Sequence, residues 1–112
     1  MPCINIKTHK TKEPVNAKAL AEEISTLSGI DISRVNVIID YYNDTDYFRS
    51  SLDNSPMVFI SISEKNGKEL IQKLAKVVSN LTEKYFSLPE NNVAVFCNKI
   101  SEGYLLVNNN FK

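Results

Sequence analysis

The feature that most constrains this 112-residue chain is that one pattern is written twice. Ile4 and Ile6 alternate with Cys3, Asn5 and Lys7, the two-residue period of a half-buried strand. A turn-like stretch, THKTKE, follows, and Pro14 suits the first position of a helix. Ala17, Leu20, Ala21, Ile24 and Leu27 then recur at helical spacing until Gly29 offers a left-handed stop. Val35–Ile39 closes the half as a strand rich in β-branched residues. Pro56 starts the programme again, with an alternating strand over Met57–Ile62 and a turn at Asn66-Gly67. Leu70, Ile71, Leu74, Val77, Val78, Leu81 and Tyr85 form a second helical stripe, Pro89 marks its exit, and Val93–Phe96 is a fourth strand. Landmarks return 54 to 58 positions later: Leu20 as Leu74, Ile24 as Val78, Leu27 as Leu81, Ile6 as Ile62, Val35 as Val93.

This repetition predicts an α/β (α+β) fold made of a duplicated βαβ unit. Right-handed crossovers would place both helices on one face of a four-stranded mixed sheet. The whole of 1–112 is then one domain, with pseudo-repeats at about 2–55 and 56–112. Sorting strand residues by parity gives a uniformly apolar helix-side face of Ile4, Ile6, Val35, Val37, Ile39, Val58, Ile60, Ile62, Val93 and Val95. The opposite face carries Asn5, Asn36, Ile38, Met57, Phe59, Ser61, Ala94, Phe96 and Asn98. Water is a poor neighbour for Ile38, Met57, Phe59 and Phe96, so the parity predicts a homo-oligomer with this face in contact.

Composition narrows the function. Thirteen Lys and Arg balance thirteen Asp and Glu, which argues against a nucleic-acid partner held through phosphate neutralisation. No apolar run reaches the ~20 residues of a membrane helix, and no signal-peptide pattern opens the chain; the expected location is cytoplasmic, with no membrane partner. Cys3 and Cys97 lie far apart and read as two reduced, semi-buried thiols rather than a disulfide or metal site. His9, the single histidine, reads as an exposed turn residue, and Asp40–Asp46 as a solvated acidic loop. That loop lacks the glycine and the glutamate of a calcium site, so no metal is expected. Tyr41, Tyr42, Tyr47 and Phe48 give it an aromatic density suited to a pocket wall or a subunit contact.

One residue stands out chemically. Pro2 follows Met1 at the head of a core strand, and an initiator methionine before a small residue is normally removed. The exposed terminus would be a secondary amine, and α-amines have reference pKa values near ~7.7–8.0, well placed for general-base work at neutral pH. Pro2 shares the parity of Ile4 and Ile6, and desolvation there would favour the neutral, proton-accepting form.

A proline-headed strand, a helix ending in glycine, a second strand and the doubling of the unit over the chain resemble the tautomerase superfamily, in particular its longer macrophage-migration-inhibitory-factor-like members. Gly103-Tyr104 and the Asn108-Asn109-Asn110-Phe111 tail are similar to the same group, while the loop lengths look closer to a small uncharacterised bacterial family within the superfamily. The resemblance implies a homotrimer, Pro2 as catalytic base, a small-molecule substrate and no cofactor. It places Lys12, Arg34 and Asn36 at substrate-holding positions and an aromatic wall near Tyr47 or Phe48. It departs at Ile30, where the migration-factor pattern has lysine, and at or near Ala94 and Phe96, where it has tyrosine and asparagine. The implied chemistry is keto-enol proton transfer on a small carboxylated carbonyl compound, with a cation such as Lys12 or Arg34 on the carboxylate. The alternative is a non-catalytic ferredoxin-like module that oligomerises or binds a small ligand.

Overall fold

A computed structural model describes residues 1–11, 13–50, 55–89 and 92–112. The alternating segments become strands β1 (Cys3–His9), β2 (Asn36–Tyr42), β3 (Met57–Ser63) and β4 (Ala94–Ile100). The two stripes become α1 (Ala17–Ser28) and α2 (Gly67–Tyr85). The sheet order is β2-β1-β3-β4, with β1 parallel to β2, β3 parallel to β4 and the two central strands antiparallel. This is the duplicated βαβ unit, its halves joined through β1 and β3. A small hairpin of β5 (Leu106–Val107) and β6 (Asn110–Phe111) follows. Its turn uses Asn108 and Asn109 at φ of 50° and 65°, a backbone that asparagine tolerates better than most residues.

The core lies between the helices and one face of the sheet. Ile4, Ile6, Val58, Ile60 and Ile62 meet Leu20, Ile24, Leu74 and Val78, all with no exposed surface. Val35, Val37, Ile39, Val93 and Val95 pack against its margin. Each fully buried aliphatic side chain contributes about 1.5–3 kcal/mol of burial, so the helix-side parity set is the main source of stability.

Several boundaries differ from the sequence reading. The first helix starts at Ala17, not at Pro14, because the Asn16 side chain accepts from the Ala19 N–H at 3.0 Å and caps the helix there. Gly29 ends it as expected, at φ +80° with its N–H donating to the Ser25 carbonyl at 3.0 Å. Thr8 and His9 extend β1, and Asp40–Tyr42 extend β2, so these residues form paired strand rather than loop. The pairing persists because Asp40 accepts from Asn5 Nδ2 at 3.0 Å and from Lys7 Nζ at 3.2 Å. Tyr41 is fixed as well, its hydroxyl accepting from the Val15 N–H at 3.0 Å. Of the two thiols, Cys3 is half-buried, whereas Cys97 on the edge strand β4 is exposed rather than semi-buried.

Candidate active site at the head of the first strand

Pro2 stands immediately before the Cys3–Asn36 and Cys3–Ser61 pairs, at the corner where β2 begins and β3 ends. Its side chain is fully buried, and Met1 is the half-exposed residue attached to its ring nitrogen. The Pro2 carbonyl accepts twice from Asn36, from the backbone N–H at 3.2 Å and from side-chain Nδ2 at 3.3 Å. The Met1 amine at this corner is pushed below its ordinary range, first by burial and then by the Arg34 guanidinium.

Arg34 ends a short 3-10 turn, Ile32–Arg34. The Asp31 carboxylate holds that turn by accepting from the Ser33 N–H at 2.9 Å and from Ser33 Oγ at 2.6 Å. The guanidinium is exposed and reaches Asn66 Oδ1 at 3.5 Å, and Asn66 Nδ2 donates to the Ser63 carbonyl at 3.0 Å. The turn Glu64–Asn66 between β3 and α2 thus brings a polar amide beside the cation. The sequence reading treated Asn66 only as a turn residue. The antiparallel pairing of β1 with β3, which carries the end of β3 to the head of β1, is what brings it there.

Of the six residues singled out from sequence, Pro2, Arg34 and Asn36 converge at this corner. Lys12 lies outside the described residues. Tyr47 and Phe48 are elsewhere in the chain: Tyr47 packs on Tyr42 with ring centroids 4.5 Å apart and lies parallel to His9 at 6.4 Å. His9 is the last residue of β1, so a seven-residue strand separates this cluster from Pro2, about 20 Å at the usual rise. His9 is thus a half-buried strand end against an aromatic ring, not an exposed turn. Within one chain the structure does not bring Tyr47 or Phe48 to Pro2. Phe48 is exposed, and a cavity of about 510 Å³ at this far end is lined by His9, Lys10, Tyr42, Asn43 and Asp44. Burial, reinforced by Tyr47, raises the Tyr42 hydroxyl above its ordinary range. Ile30 is a core residue whose carbonyl accepts from Ser25 Oγ at 2.6 Å.

The sheet face away from the helices is a grid set by register. One row runs Asn36, Cys3, Ser61, Asn98; the next Ile38, Asn5, Phe59, Phe96; the third Asp40, Lys7, Met57, Ala94. In the middle row Phe59 stacks on Phe96 at 5.1 Å, yet Ile38 and Phe96 remain 51% and 49% exposed. Among the described residues no group of three or more His, Cys, Asp or Glu side chains could hold a metal, and no helix is long and apolar enough to cross a membrane.

No protein-family model matches the sequence, and no curated protein matches it. Solved structures match the fold. Pt0534 inactivated by 2-oxo-3-pentynoate superposes with a TM-score of 0.80 at 13% identity, over 94% of this chain and 90% of that one. A fused 4-OT, in an asymmetric trimer, gives 0.81 at 14% identity over 97% and 94%. The macrophage migration inhibitory factor of Trichinella spiralis gives 0.72 at 10% identity over 98% and 99%. The fold that the resemblance implied, that of 4-OT and the migration inhibitory factors of the tautomerase superfamily, is the fold this chain has.

Proposed function

We propose that this chain is a cofactor-independent tautomerase in which Pro2, freed of Met1, is the general base. The observation that carries the reading is the corner itself: a fully buried proline heads the central strand, and the Met1 amine just before it is pushed below its ordinary range by burial and then by Arg34. Both influences favour the neutral amine at physiological pH. The neutral nitrogen takes a proton from a dienol hydroxyl, or from carbon α to a carbonyl, and returns it elsewhere on the conjugated system. Arg34 binds the substrate carboxylate through its fork of donors, with Asn66 orienting the guanidinium from behind. The preferred substrate is then a small enolisable 2-oxo or 2-hydroxydienoic acid, not a nucleic acid or a membrane. An aromatic wall from Tyr47 and Phe48 fits this scheme only if another subunit supplies it, because in one chain they lie a strand's length from Pro2.

The same reading makes the protein a homotrimer whose open sheet faces are in contact, since Ile38, Phe59 and Phe96 lie with Asn5 in one row of that face and Ile38 and Phe96 remain about half exposed. Light scattering at micromolar concentration is expected to show a trimer, and Phe96→Asp a monomer. A wild-type monomer contradicts the assembly.

The chemical test uses the reagent that inactivates Pt0534. The Pro2 nitrogen lone pair forms a C–N bond at the alkyne carbon β to the ketone. The displaced π electrons pass to the carbonyl oxygen, carbon 3 takes a proton from water, and nitrogen sheds any proton it held. The whole reagent is added and nothing leaves. Peptide mass spectrometry of the Cys97→Ser protein, which removes the exposed competing thiol, is expected to find the adduct on Pro2. Retained Met1, or an unmodified Pro2, overturns the general-base assignment and leaves a non-catalytic oligomerising module.

A further inference from the structure

The two bonds that Asn36 makes to the Pro2 carbonyl distinguish the two halves of the molecule. In a parallel pair the backbone N–H bond is part of the ladder, and the bond from Nδ2 is extra. The second half provides an internal control. There Pro56 precedes β3 as Pro2 precedes β1, and Met57 pairs with Ala94 as Cys3 pairs with Asn36. Alanine has no side-chain donor, so the extra bond exists only beside the proline that can become a chain terminus. Asn36 is exposed on an edge strand, where neither core packing nor sheet register demands an amide.

We propose that Asn36 is a positioning residue that clamps the carbonyl of Pro2 and so fixes the direction in which the ring nitrogen presents its lone pair. The inference rests on the general-base reading of Pro2 and reassigns Asn36 within it, from a substrate-holding group to a support for the base. The direction of the nitrogen depends on the seat of the ring, which is fully buried, and on the plane of the Pro2–Cys3 peptide against which ψ is measured. Two donors on one carbonyl hold that plane more tightly than the ladder bond alone. They also direct the positive ends of two N–H dipoles at the group next to the amine, which disfavours the ammonium form. The other charged side chains on the elements meeting at this corner are Arg34 and the capping Asp31 from the turn before β2, and Glu64 and Lys65 from the turn after β3, with Lys65 paired to Glu102 at 3.3 Å. β2 and β3 offer there only Asn36, Ser61 and Ser63, and the start of α2 adds Lys68 and Glu69.

The test compares wild type, Asn36→Ala and Asn36→Asp, each with Met1 removed. Asn36→Asp keeps the shape and replaces the donor with a carboxylate that repels the carbonyl and attracts an ammonium, so it also serves if the alanine variant folds poorly. The first readout is the pH midpoint of the Pro2 amine, followed by NMR on 13C-labelled proline, which needs no turnover. The midpoint is expected to rise in Asn36→Ala and to rise further in Asn36→Asp. The second is the saturating rate of 2-oxo-3-pentynoate addition at pH 7, expected to fall about three- to tenfold in Asn36→Ala, as for loss of one hydrogen bond, and further in Asn36→Asp. The reagent concentration at half-saturation is expected to hold. Unchanged midpoints in both variants overturn the clamp, and so does a raised half-saturation at an unchanged maximal rate, which would make Asn36 a substrate-holding residue. A wild-type protein whose Pro2 never reacts tells against the general-base reading instead, while the NMR midpoints still judge the clamp.

Discussion

Two prolines head the two halves of this molecule, and both are fully buried. Each precedes the first residue of a central strand, and the register about them is the same. Around Pro2 stand Arg34, Asn36 and Asn66. The second half has Asn92 in place of Arg34, its N–H donating to Glu83 Oε2 at 3.1 Å, and Ala94 in place of Asn36. Asn5, Lys7 and Asp40 of the first half likewise have Phe59, Ser61 and Asn98 as their counterparts. Charge is found beside both prolines, since Lys7 and Asp40 share the row of Met57, next to Pro56, and Arg49 donates to the Ser55 carbonyl. What distinguishes the Pro2 corner is the side-chain amide on the proline's own carbonyl. The nitrogen of Pro56 is an amide, without a basic lone pair, whatever surrounds it. Equal burial with unequal chemistry separates what the fold needs from what a reaction would need.

The largest expected effect tests that separation directly. Pro2→Ala is expected to lower turnover of a small 2-hydroxydienoate about a hundredfold or more, the usual scale of positioned acid–base catalysis. Pro56→Ala should leave turnover per folded molecule unchanged. Equal losses in steady-state assays would mean that both prolines serve packing alone. The next effect is Arg34→Ala, expected to raise KM about tenfold through loss of a charged hydrogen-bond donor, with no change for Asn92→Ala. Removing the cation also relieves the ammonium form of its repulsion, so the terminal amine pKa rises and the acid limb of the pH–rate profile moves to higher pH. A limb that stays in place would separate Arg34 from the base.

The smallest effect concerns Asp40→Asn, which gives the first half the asparagine its counterpart already has. The Asp40 carboxyl is held below its ordinary range by hydrogen bonds from Asn5 and then from Lys7. A carboxyl with a depressed folded pKa stabilises the protein above its unfolded value, and that stability is lost as pH falls through the folded pKa. The pair is nearly half exposed on both sides, so its contribution is about 1 kcal/mol or less. Urea denaturation should show the variant slightly weaker at neutral pH and level with wild type in strong acid. A constant difference across pH would assign the effect to packing.

How far the sequence could be read depended on whether a signal was periodic. Ile4, Ile6, Val58, Ile60 and Ile62 revealed their face because a strand repeats every two residues, and Leu20, Ile24, Leu74 and Val78 because a helix repeats every 3.6. Asp40, Tyr41 and Tyr42 read as loop because their strand is held by partners 26 to 35 positions away. No local pattern carries that information. Asn66 was invisible for the same reason, as it gains meaning only where the turn after β3 meets Arg34. The resemblance alone put Tyr47 and Phe48 in an aromatic wall, and the parallel pairing of β1 with β2 carries the loop that follows β2 to the end of the sheet away from its own chain's Pro2.

The order of residues alone determined the doubled strand–helix–strand programme, the apolar face that buries and the proline at the head. These follow from local dihedral preference and the water-avoidance of side chains at fixed spacing. Only the tertiary structure decided which polar groups stand around that proline, because they come from three separate segments, 2, 34–36 and 63–66, joined by strand pairing. Hydrogen bonds depend on distances of a few tenths of an ångström between such segments, and those distances exist only once the sheet has formed.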